Sequence, residues 1–112
     1  MNEHVRFATT VFGGNIRRLR VKEGITQVQL ADMLGVQQSM ISNLEAGERR
    51  PSIELAFAIS RVFDVPLDEL NNPSSLIVAR RLGVTTSELN DMNQSNLVFP
   101  VELSADYESD AA

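Results

Sequence analysis

Five short polar side chains follow a glycine near the middle of the chain, and their chemistry suits hydrogen bonding to the edges of DNA bases. They are Gln37, Gln38, Ser39, Ser42 and Asn43. Glutamine and asparagine amides pair bidentately with adenine N6 and N7, and serine hydroxyls donate or accept at several base edges. All five are uncharged, so they enter a groove with little desolvation cost. The segment therefore predicts a base-reading helix.

Residues suited to the phosphate backbone lie on both sides of this segment. Thr26 and Gln27 stand where a preceding helix is expected to begin, and free backbone N–H groups at a helix start favour a phosphate oxygen. Arg49 and Arg50 follow the segment and are expected to clamp the backbone, with ordinary exposed loop charges as the alternative. The basic pair Arg17-Arg18 is expected to be solvated rather than bound to DNA.

Two short helices joined by a tight turn would hold these side chains in place. Close crossing of the helices needs a small residue, which Ala31 supplies, and a turn of this kind commonly contains glycine, here Gly35. Ile41 gives the second helix a buried anchor, so its polar residues face outward. A helix-turn-helix places its second helix in the major groove. Sequence-specific binding of double-stranded DNA is the function that this spacing predicts.

Further helices are expected around this pair. Apolar residues at i, i+4 and i+7 predict a first helix over about residues 10–23, after a flexible start at residues 1–9. Thr26 and Ser52 are expected to cap the second and fourth helices through their hydroxyls. These later helices are expected at about residues 26–34, 37–46, 52–63 and 66–70.

The composition changes at residues 71–75, read as Asn-Asn-Pro-Ser-Ser, and we place a domain boundary there. The extension over residues 71–103 is expected to contain two short helices, at about 76–82 and 86–92. Residues 97–103 are expected to form an edge strand or a loop, because Pro100 cannot donate a ladder hydrogen bond. Residues 104–112 are acidic and small, so we expect them to be disordered.

The overall charge is unusual for a nucleic-acid-binding protein. The net charge is −5, but residues 1–70 carry 8 basic against 9 acidic residues, while residues 71–112 carry 2 against 6. The acidity is therefore concentrated in the extension and tail. Local field matters more than total charge for contacts with phosphate. A weakly basic domain should still bind DNA weakly as a monomer, which favours a homodimer.

Several other classes of function lack sequence support. With 112 residues and 43% hydrophobic residues, the chain suits one domain with a modest core. It has no cysteine, one histidine, no glycine-rich phosphate loop and no Ser/His/Asp set, so we expect neither an enzyme nor a cofactor or metal site. No signal peptide or apolar span of membrane length is present, so a cytoplasmic, nucleoid-associated protein is expected.

The segment from Thr26 to Pro51 resembles the helix-turn-helix of the Cro/phage-repressor (Xre-type) family of transcriptional regulators. The matching positions are Thr26, Gln27, Leu30, Ala31, Gly35, Val36, Ile41, Ser42, Glu45, Gly47 and Pro51. The resemblance extends over about residues 10–70. It implies an all-α fold, a compact five-helix lambda-repressor-like DNA-binding domain, here with a C-terminal extension of two short helices and an edge strand or loop.

The resemblance also implies roles for single residues. Gln27 matches the phosphate-contacting glutamine of the family, and Gln38, Ser39 and Asn43 match its base-reading positions. A further pair, Arg20 and Glu45, matches a structural ion pair between the first and third helices. Gln37 departs from the family pattern, where many members have a serine or threonine cap, so it either caps the helix or reads a base.

A transcriptional repressor that binds a palindromic operator as a homodimer is the function we predict. Its half-sites should lie roughly 34–36 Å apart. The alternative is an antitoxin or partner-binding regulator whose C-terminal arm binds another protein. Leu76, Ile77 and Val78 are too apolar to remain exposed in a monomer, so they dock on the domain, pair across a dimer or contact a foreign partner.

A weak internal echo occurs at an offset of 48 residues. Ala31, Gly35 and Val36 align with Ala79, Gly83 and Val84. Either the echo marks a second DNA-reading unit, or any tight helix hairpin needs this pattern. Acidic Glu88 and Asp91 favour the second interpretation, since they would repel phosphate.

Overall fold

The computed structural model describes the backbone of residues 2–98 and the side chains of residues 2–95. This part of the chain is all-helical and contains no strand, which confirms the predicted fold class. Its helices are α1 (Glu3–Lys22), α2 (Gln27–Leu34), α3 (Gln38–Glu45), α4 (Ile53–Phe63), α5 (Leu67–Leu70), α6 (Leu76–Leu82) and α7 (Thr86–Val98). None of the helices within this range is both long enough and apolar enough to cross a membrane.

Helix α1 is the central element, since it contacts α3, α5, α6 and α7. Its predicted apolar stripe of Phe12, Ile16 and Leu19 is buried, as expected from the spacing. Around it lie buried aliphatic and aromatic side chains from every other helix of the core, including Leu30, Ile41, Leu44, Ile59, Phe63, Leu70, Val78 and Leu89. The pair α2–α3 thus packs on one side of a single core.

The prediction of a flexible start at residues 1–9 is wrong for residues 3–9, which form the first two turns of α1. The Asn2 side chain caps the helix by accepting a hydrogen bond from the Val5 backbone nitrogen at 2.9 Å. Thr9 is buried, and its hydroxyl donates to the Val5 carbonyl at 2.7 Å. The weak helix propensity of the threonines and glycines in this region obscured a helix that tertiary packing stabilises.

The extension packs onto the same core as the first five helices. Val78, Ala79 and Leu89 are almost completely buried. Arg81 of α6 donates to the carbonyl oxygens of Phe63 at 2.6 Å and Asp64 at 3.0 Å, and so holds the C-terminus of α4. Docking on the domain, pairing across a dimer and contact with a foreign partner were the three arrangements considered for the apolar residues of the extension. Val78 docks on the domain.

A buried amide network fixes α7 against α1. Asn93 is fully buried, and its side-chain nitrogen donates to Asn15 Oδ1 at 3.3 Å and to the Pro73 carbonyl at 3.1 Å. Asn15, also fully buried, donates to the Leu70 carbonyl at 2.9 Å. Buried amides need such partners, because each unpaired one costs about 1–3 kcal/mol. The segment between α5 and α6 is consequently held by hydrogen bonds rather than forming a free linker.

Helix α7 is longer than predicted. It begins with a reciprocal cap, in which the Thr85 backbone nitrogen donates to Glu88 Oε1 at 2.9 Å and the Glu88 backbone nitrogen donates to Thr85 Oγ1 at 3.0 Å. Hydrogen bonds from Thr85 to the exposed Glu88 carboxyl, first from its backbone and then from its side chain, lower the pKa of that carboxyl. The helix runs to Val98, so the extended conformation predicted from residue 97 is wrong for residues 97 and 98. Adding residues to an existing helix is easy compared with starting one. The rest of the predicted strand, residues 99–103, and the predicted disordered tail lie outside the described residues.

Candidate nucleic-acid interface

The turn between α2 and α3 has the geometry that its residues predict. Gly35 adopts a left-handed backbone with φ 69°, and the Val36 nitrogen donates back to the Ala31 carbonyl at 3.0 Å. A residue with a side chain is strained in this conformation, which explains the glycine. Ala31 is 2% exposed and Ile41 is 1% exposed, so the small residue and the anchor both lie in the hydrophobic core, as predicted.

Thr26 caps α2 as predicted. Its hydroxyl accepts from the Gln29 backbone nitrogen at 3.0 Å, and the Gln29 side chain accepts from the Thr26 backbone nitrogen at 2.8 Å. This capping box satisfies two backbone donors at the start of the helix. The Thr26 side chain is exposed at the N-terminal end of α2, where the free backbone N–H groups of a helix favour a phosphate oxygen.

Helix α3 separates an apolar face from a polar one. Ile41 and Leu44 are each 1% exposed and turn toward the core. The polar set lies away from them: Gln37, Gln38 and Ser39 are exposed, and Ser42 and Asn43 are partly exposed. Gln38 with Ser42, and Ser39 with Asn43, are four residues apart and therefore neighbours on the helix surface. All five predicted base-reading residues thus project from one short helix.

Gln37 occupies the N-cap position of α3 but does not cap it. Its backbone is extended, and its side chain makes no capping hydrogen bond. Of the two roles considered for Gln37, the structure favours the one in which the amide points outward. No acidic residue lies in the first turn of α3, so no carboxylate there opposes an approaching phosphate.

Gln27 joins the interior to the polar surface. The side chain is only 6% exposed; its nitrogen donates to Glu45 Oε1 at 3.0 Å, and its oxygen accepts from Gln38 Nε2 at 2.8 Å. No local pattern predicted this hydrogen-bonded link between Gln27, Glu45 and Gln38. Gln38 uses one of its two N–H groups here, which leaves the other and the carbonyl oxygen for a base edge. Gln27 therefore orients Gln38.

A buried ion pair anchors α3 to α1. Arg20 Nε donates to Glu45 Oε2 at 2.6 Å and Arg20 Nη2 donates to Glu45 Oε1 at 2.9 Å, with both side chains 2% exposed. Arg20 also donates to the Ile25 carbonyl at 2.8 Å. The two parallel hydrogen bonds fix direction as well as distance. This is the pair that the family resemblance implies, and it fixes α3 against α1.

The prediction that the Arg17-Arg18 pair is solvated is wrong. Arg17 is 7% exposed and lies 3.6 Å from Glu45 Oε1, so one carboxylate faces two guanidinium groups. Arg18 is half-buried and donates to the side-chain oxygens of Asn15 and Asn93. Glu45 and Asn93 come from distant parts of the chain, which is why charge clustering alone suggested solvent exposure. Neither arginine is placed as a free cation for DNA.

Arg49 and Arg50 are exposed in the loop after α3. A loop that directly follows α3 in the chain suits contact with a phosphate group. The described residues bring together no group of three His, Asp or Glu side chains that would hold a metal ion. The surface is therefore one of amides, hydroxyls and guanidinium groups.

Gly13 is a positioning residue that the sequence did not reveal. A Cβ atom on this residue would lie 1.9 Å from the Leu44 carbonyl oxygen and 3.2 Å from the Glu45 Cα. Only glycine allows α1 to approach the C-terminal end of α3 so closely. Gly13 directly follows Phe12, a residue of the buried stripe. Helix propensity alone indicates that glycine weakens the helix there and does not reveal the close contact.

Comparison with known proteins agrees with this geometry. A sequence model of the helix-turn-helix family matches residues 16–70, which include α2 to α5 and the C-terminal part of α1. The matched range contains every residue assigned above to base or phosphate contact.

Three relatives illustrate the similarity. An uncharacterised HTH-type transcriptional regulator of Archaeoglobus fulgidus is 44% identical over 55 residues, which cover 49% of this chain and 79% of the relative. The HTH-type transcriptional activator BcrR of Enterococcus faecalis is 38% identical over 66 residues, 59% of this chain and 32% of the relative. The uncharacterised HTH-type transcriptional regulator YqaE of Bacillus subtilis is 33% identical over 60 residues, 54% of this chain and 52% of the relative.

Proposed function

Because the chain belongs to the Xre/Cro-type helix-turn-helix family of transcriptional regulators, we propose that it binds specific DNA sequences through the major groove with α3. The observation that supports this most directly is the polar face of α3, held by a buried ion pair and a buried glutamine. Gln37, Gln38, Ser39, Ser42 and Asn43 read base edges. The exposed residues Thr26, Arg49 and Arg50 contact phosphates and set the register, and Gln27, whose side chain is buried, contacts phosphate through its backbone N–H at the start of α2.

Gln38→Ala tests base readout. We expect the affinity for the selected operator to fall by about 1–3 kcal/mol and the base preference at one position to relax, because a bidentate amide contact is lost. Fluorescence anisotropy with operator and scrambled duplexes measures both effects. Equal losses on the two duplexes would contradict a role for Gln38 in base readout.

Arg49→Ala is the matched control for that variant. Removing a phosphate contact should weaken binding to operator and scrambled DNA alike and reduce the slope of log affinity against log salt by about one. Titrations at two salt concentrations separate the variants, since only Gln38→Ala alters the ratio of the two affinities. A change of that ratio in Arg49→Ala would instead assign Arg49 to the bases.

A homodimer on a palindromic operator completes the proposal. Helix α4 begins shortly after α3 and presents Ile53, 64% exposed, and Phe57, 49% exposed, one turn apart. Exposed Glu54 and Arg61 share the Phe57 side of the helix by their spacing. In a two-fold contact, each residue meets its complement on the other copy. Antiparallel α4 helices would place Glu54 of one copy near Arg61 of the second copy.

Phe57→Asp tests this interface. We expect the dimer dissociation constant to rise at least about 30-fold, because an apolar anchor at the two-fold axis is replaced by a charge. Sedimentation velocity over a concentration series measures the change. Ile77→Asp is the matched control, since Ile77 is 38% exposed on α6 and belongs to the other candidate surface. Loss of the dimer in Ile77→Asp alone would assign dimerisation to the extension.

Repression is the regulatory outcome that we propose, because occupancy of a promoter by a small dimer blocks polymerase without further machinery. A relative is named as an activator, so activation by the same scaffold is the competing outcome. A reporter gene under the selected operator distinguishes them by the sign of its response. The protein acts in the cytoplasm at the nucleoid.

A partner-binding regulator, for instance an antitoxin, is the second candidate function. The observation that favours it is the first turn of α6, where Leu76 is 52% exposed and Ile77 is 38% exposed although the rest of the helix is docked. Residues 71–103 would then carry the partner contact. An Ile77→Asp variant that stays dimeric and binds operator but loses a co-purifying protein would support this function.

A further inference from the structure

A pocket of about 410 Å³ opens beside the candidate DNA interface. It lies between the first turns of α1, the loop after α3, and helices α4 and α5. Pockets for small molecules usually start near 300 Å³. The early helical turns of α1, which the sequence did not predict, form one wall.

The pocket combines an apolar floor with a cationic edge. Phe12, Ala56 and Leu67 line it, and the small side chain of Ala8 leaves the space open. Arg50 and His4 stand among the lining residues, and none of those residues is acidic. A guanidinium is always charged, and among the described residues none forms an ion pair or hydrogen bond with that of Arg50.

We propose that this pocket binds a small apolar carboxylate, whose hydrocarbon body contacts the floor and whose anion pairs with Arg50. A planar guanidinium matches a carboxylate through two parallel hydrogen bonds. The imidazole of His4 offers a further donor. One permanent positive charge beside an apolar cavity selects a monoanion with a hydrophobic body over a neutral or cationic compound of the same shape.

Ligand binding would be coupled to DNA binding through Arg50. This part rests on the proposed function, in which Arg50 contacts phosphate. A carboxylate held on Arg50 neutralises that contact, so the ligand lowers the affinity for DNA. By reciprocity, DNA lowers the affinity for the ligand by the same factor. The pocket is thus the site of an inducer.

The site itself is tested without DNA. Sodium octanoate is titrated into the ¹⁵N-labelled full chain, and saturable amide shifts are expected at Ala8, Phe12 and Leu67. Arg50→Gln should weaken octanoate binding by about tenfold, the usual effect of losing a charge-assisted contact. Octan-1-ol should bind at least tenfold more weakly than octanoate. Equal binding of the alcohol and the acid, or shifts confined to other residues, would overturn the proposal.

Ala8→Phe supplies the second variant, because it fills the pocket and removes no proposed DNA contact. Octanoate should no longer shift the pocket amides, while operator affinity stays within twofold. In the wild type, saturating octanoate should weaken operator binding by five- to tenfold, and in Ala8→Phe it should have no effect. Octanoate binding with unchanged operator affinity would overturn the coupling. Octanoate binding by a chain that binds no DNA would reject the proposed function and leave the ligand site supported.

Discussion

Replacing Glu45 with alanine is expected to lower the free energy of unfolding by about 3–5 kcal/mol. Arg20 is 2% exposed and Arg17 is 7% exposed, and both lie against this one carboxylate. Its removal takes away the carboxylate that both buried guanidinium groups contact, and Gln27 loses an acceptor. Domains of this size are stable by about 5–15 kcal/mol, so the variant should be partly unfolded near physiological temperature.

Urea denaturation followed by circular dichroism measures this loss. Glu48→Ala is the matched control, because Glu48 is an exposed carboxylate close by in the chain, and its removal should change stability by less than about 0.5 kcal/mol. The double variant Arg20→Met with Glu45→Leu should lose less than about 2 kcal/mol, since an apolar pair can replace a buried ion pair. A loss below about 1 kcal/mol in Glu45→Ala would show that solvent, not Glu45, balances the arginines.

The sequence predicted the short helices and turns well because their signals are local. Thr26 and Ser52 cap α2 and α4 as expected, and α6 has the predicted bounds. In each case, the residues that decide the structure are within four positions of one another. Side-chain caps, a glycine after the last turn and apolar spacing then act together.

The weak internal repeat at an offset of 48 residues is explained by the packing of helix hairpins. Val36 donates to the Ala31 carbonyl at 3.0 Å, and Val84 donates to the Ala79 carbonyl at 3.0 Å. The α4–α5 turn repeats the same bond, from Val65 to the Ser60 carbonyl at 3.1 Å. In all three turns, the residue before the valine is left-handed. Three helix hairpins share the pattern, which supports its interpretation as a packing rule rather than a second DNA-reading unit.

Long-range partners are what local sequence patterns could not supply. Glu45 is 25 residues from Arg20, and only the family resemblance implied that pair; Asn93 is 78 residues from Asn15, and nothing implied their contact. Nothing in the local periodicity distinguishes these buried pairs from solvated polar residues. The roles of Arg17 and Gln27 were hidden for the same reason. The polar face of α3 was predictable because the spacing of the apolar residues Ile41 and Leu44 shows which face is buried. The orientation of α3 was not predictable, because it depends on contacts with residues of α1 and α2.

Gly13→Ala is expected to destabilise the protein by at least about 2 kcal/mol and to move α3. In an ordinary helical position, this change would stabilise by about 1 kcal/mol, so the expected sign is reversed. The new Cβ would lie 1.9 Å from the Leu44 carbonyl oxygen, a backbone atom that cannot rotate away. The two helices must separate, and overpacking of this kind typically costs 1–3 kcal/mol or more. The separation also strains the Arg20–Glu45 pair.

Gly24→Ala is the matched control for that variant. Gly24 has φ +74°, and a Cβ there would meet nothing within 4 Å, so only a backbone cost of about 1–2 kcal/mol is expected. Urea denaturation compares the two stabilities, and operator affinity is measured on the folded fraction. Gly13→Ala should lose operator affinity beyond its loss of stability, because the polar face of α3 is displaced, whereas Gly24→Ala should bind normally. A Gly13→Ala variant more stable than the wild type would mean that α1 and α3 are not in contact at this point, and the geometry that positions the recognition helix would be wrong.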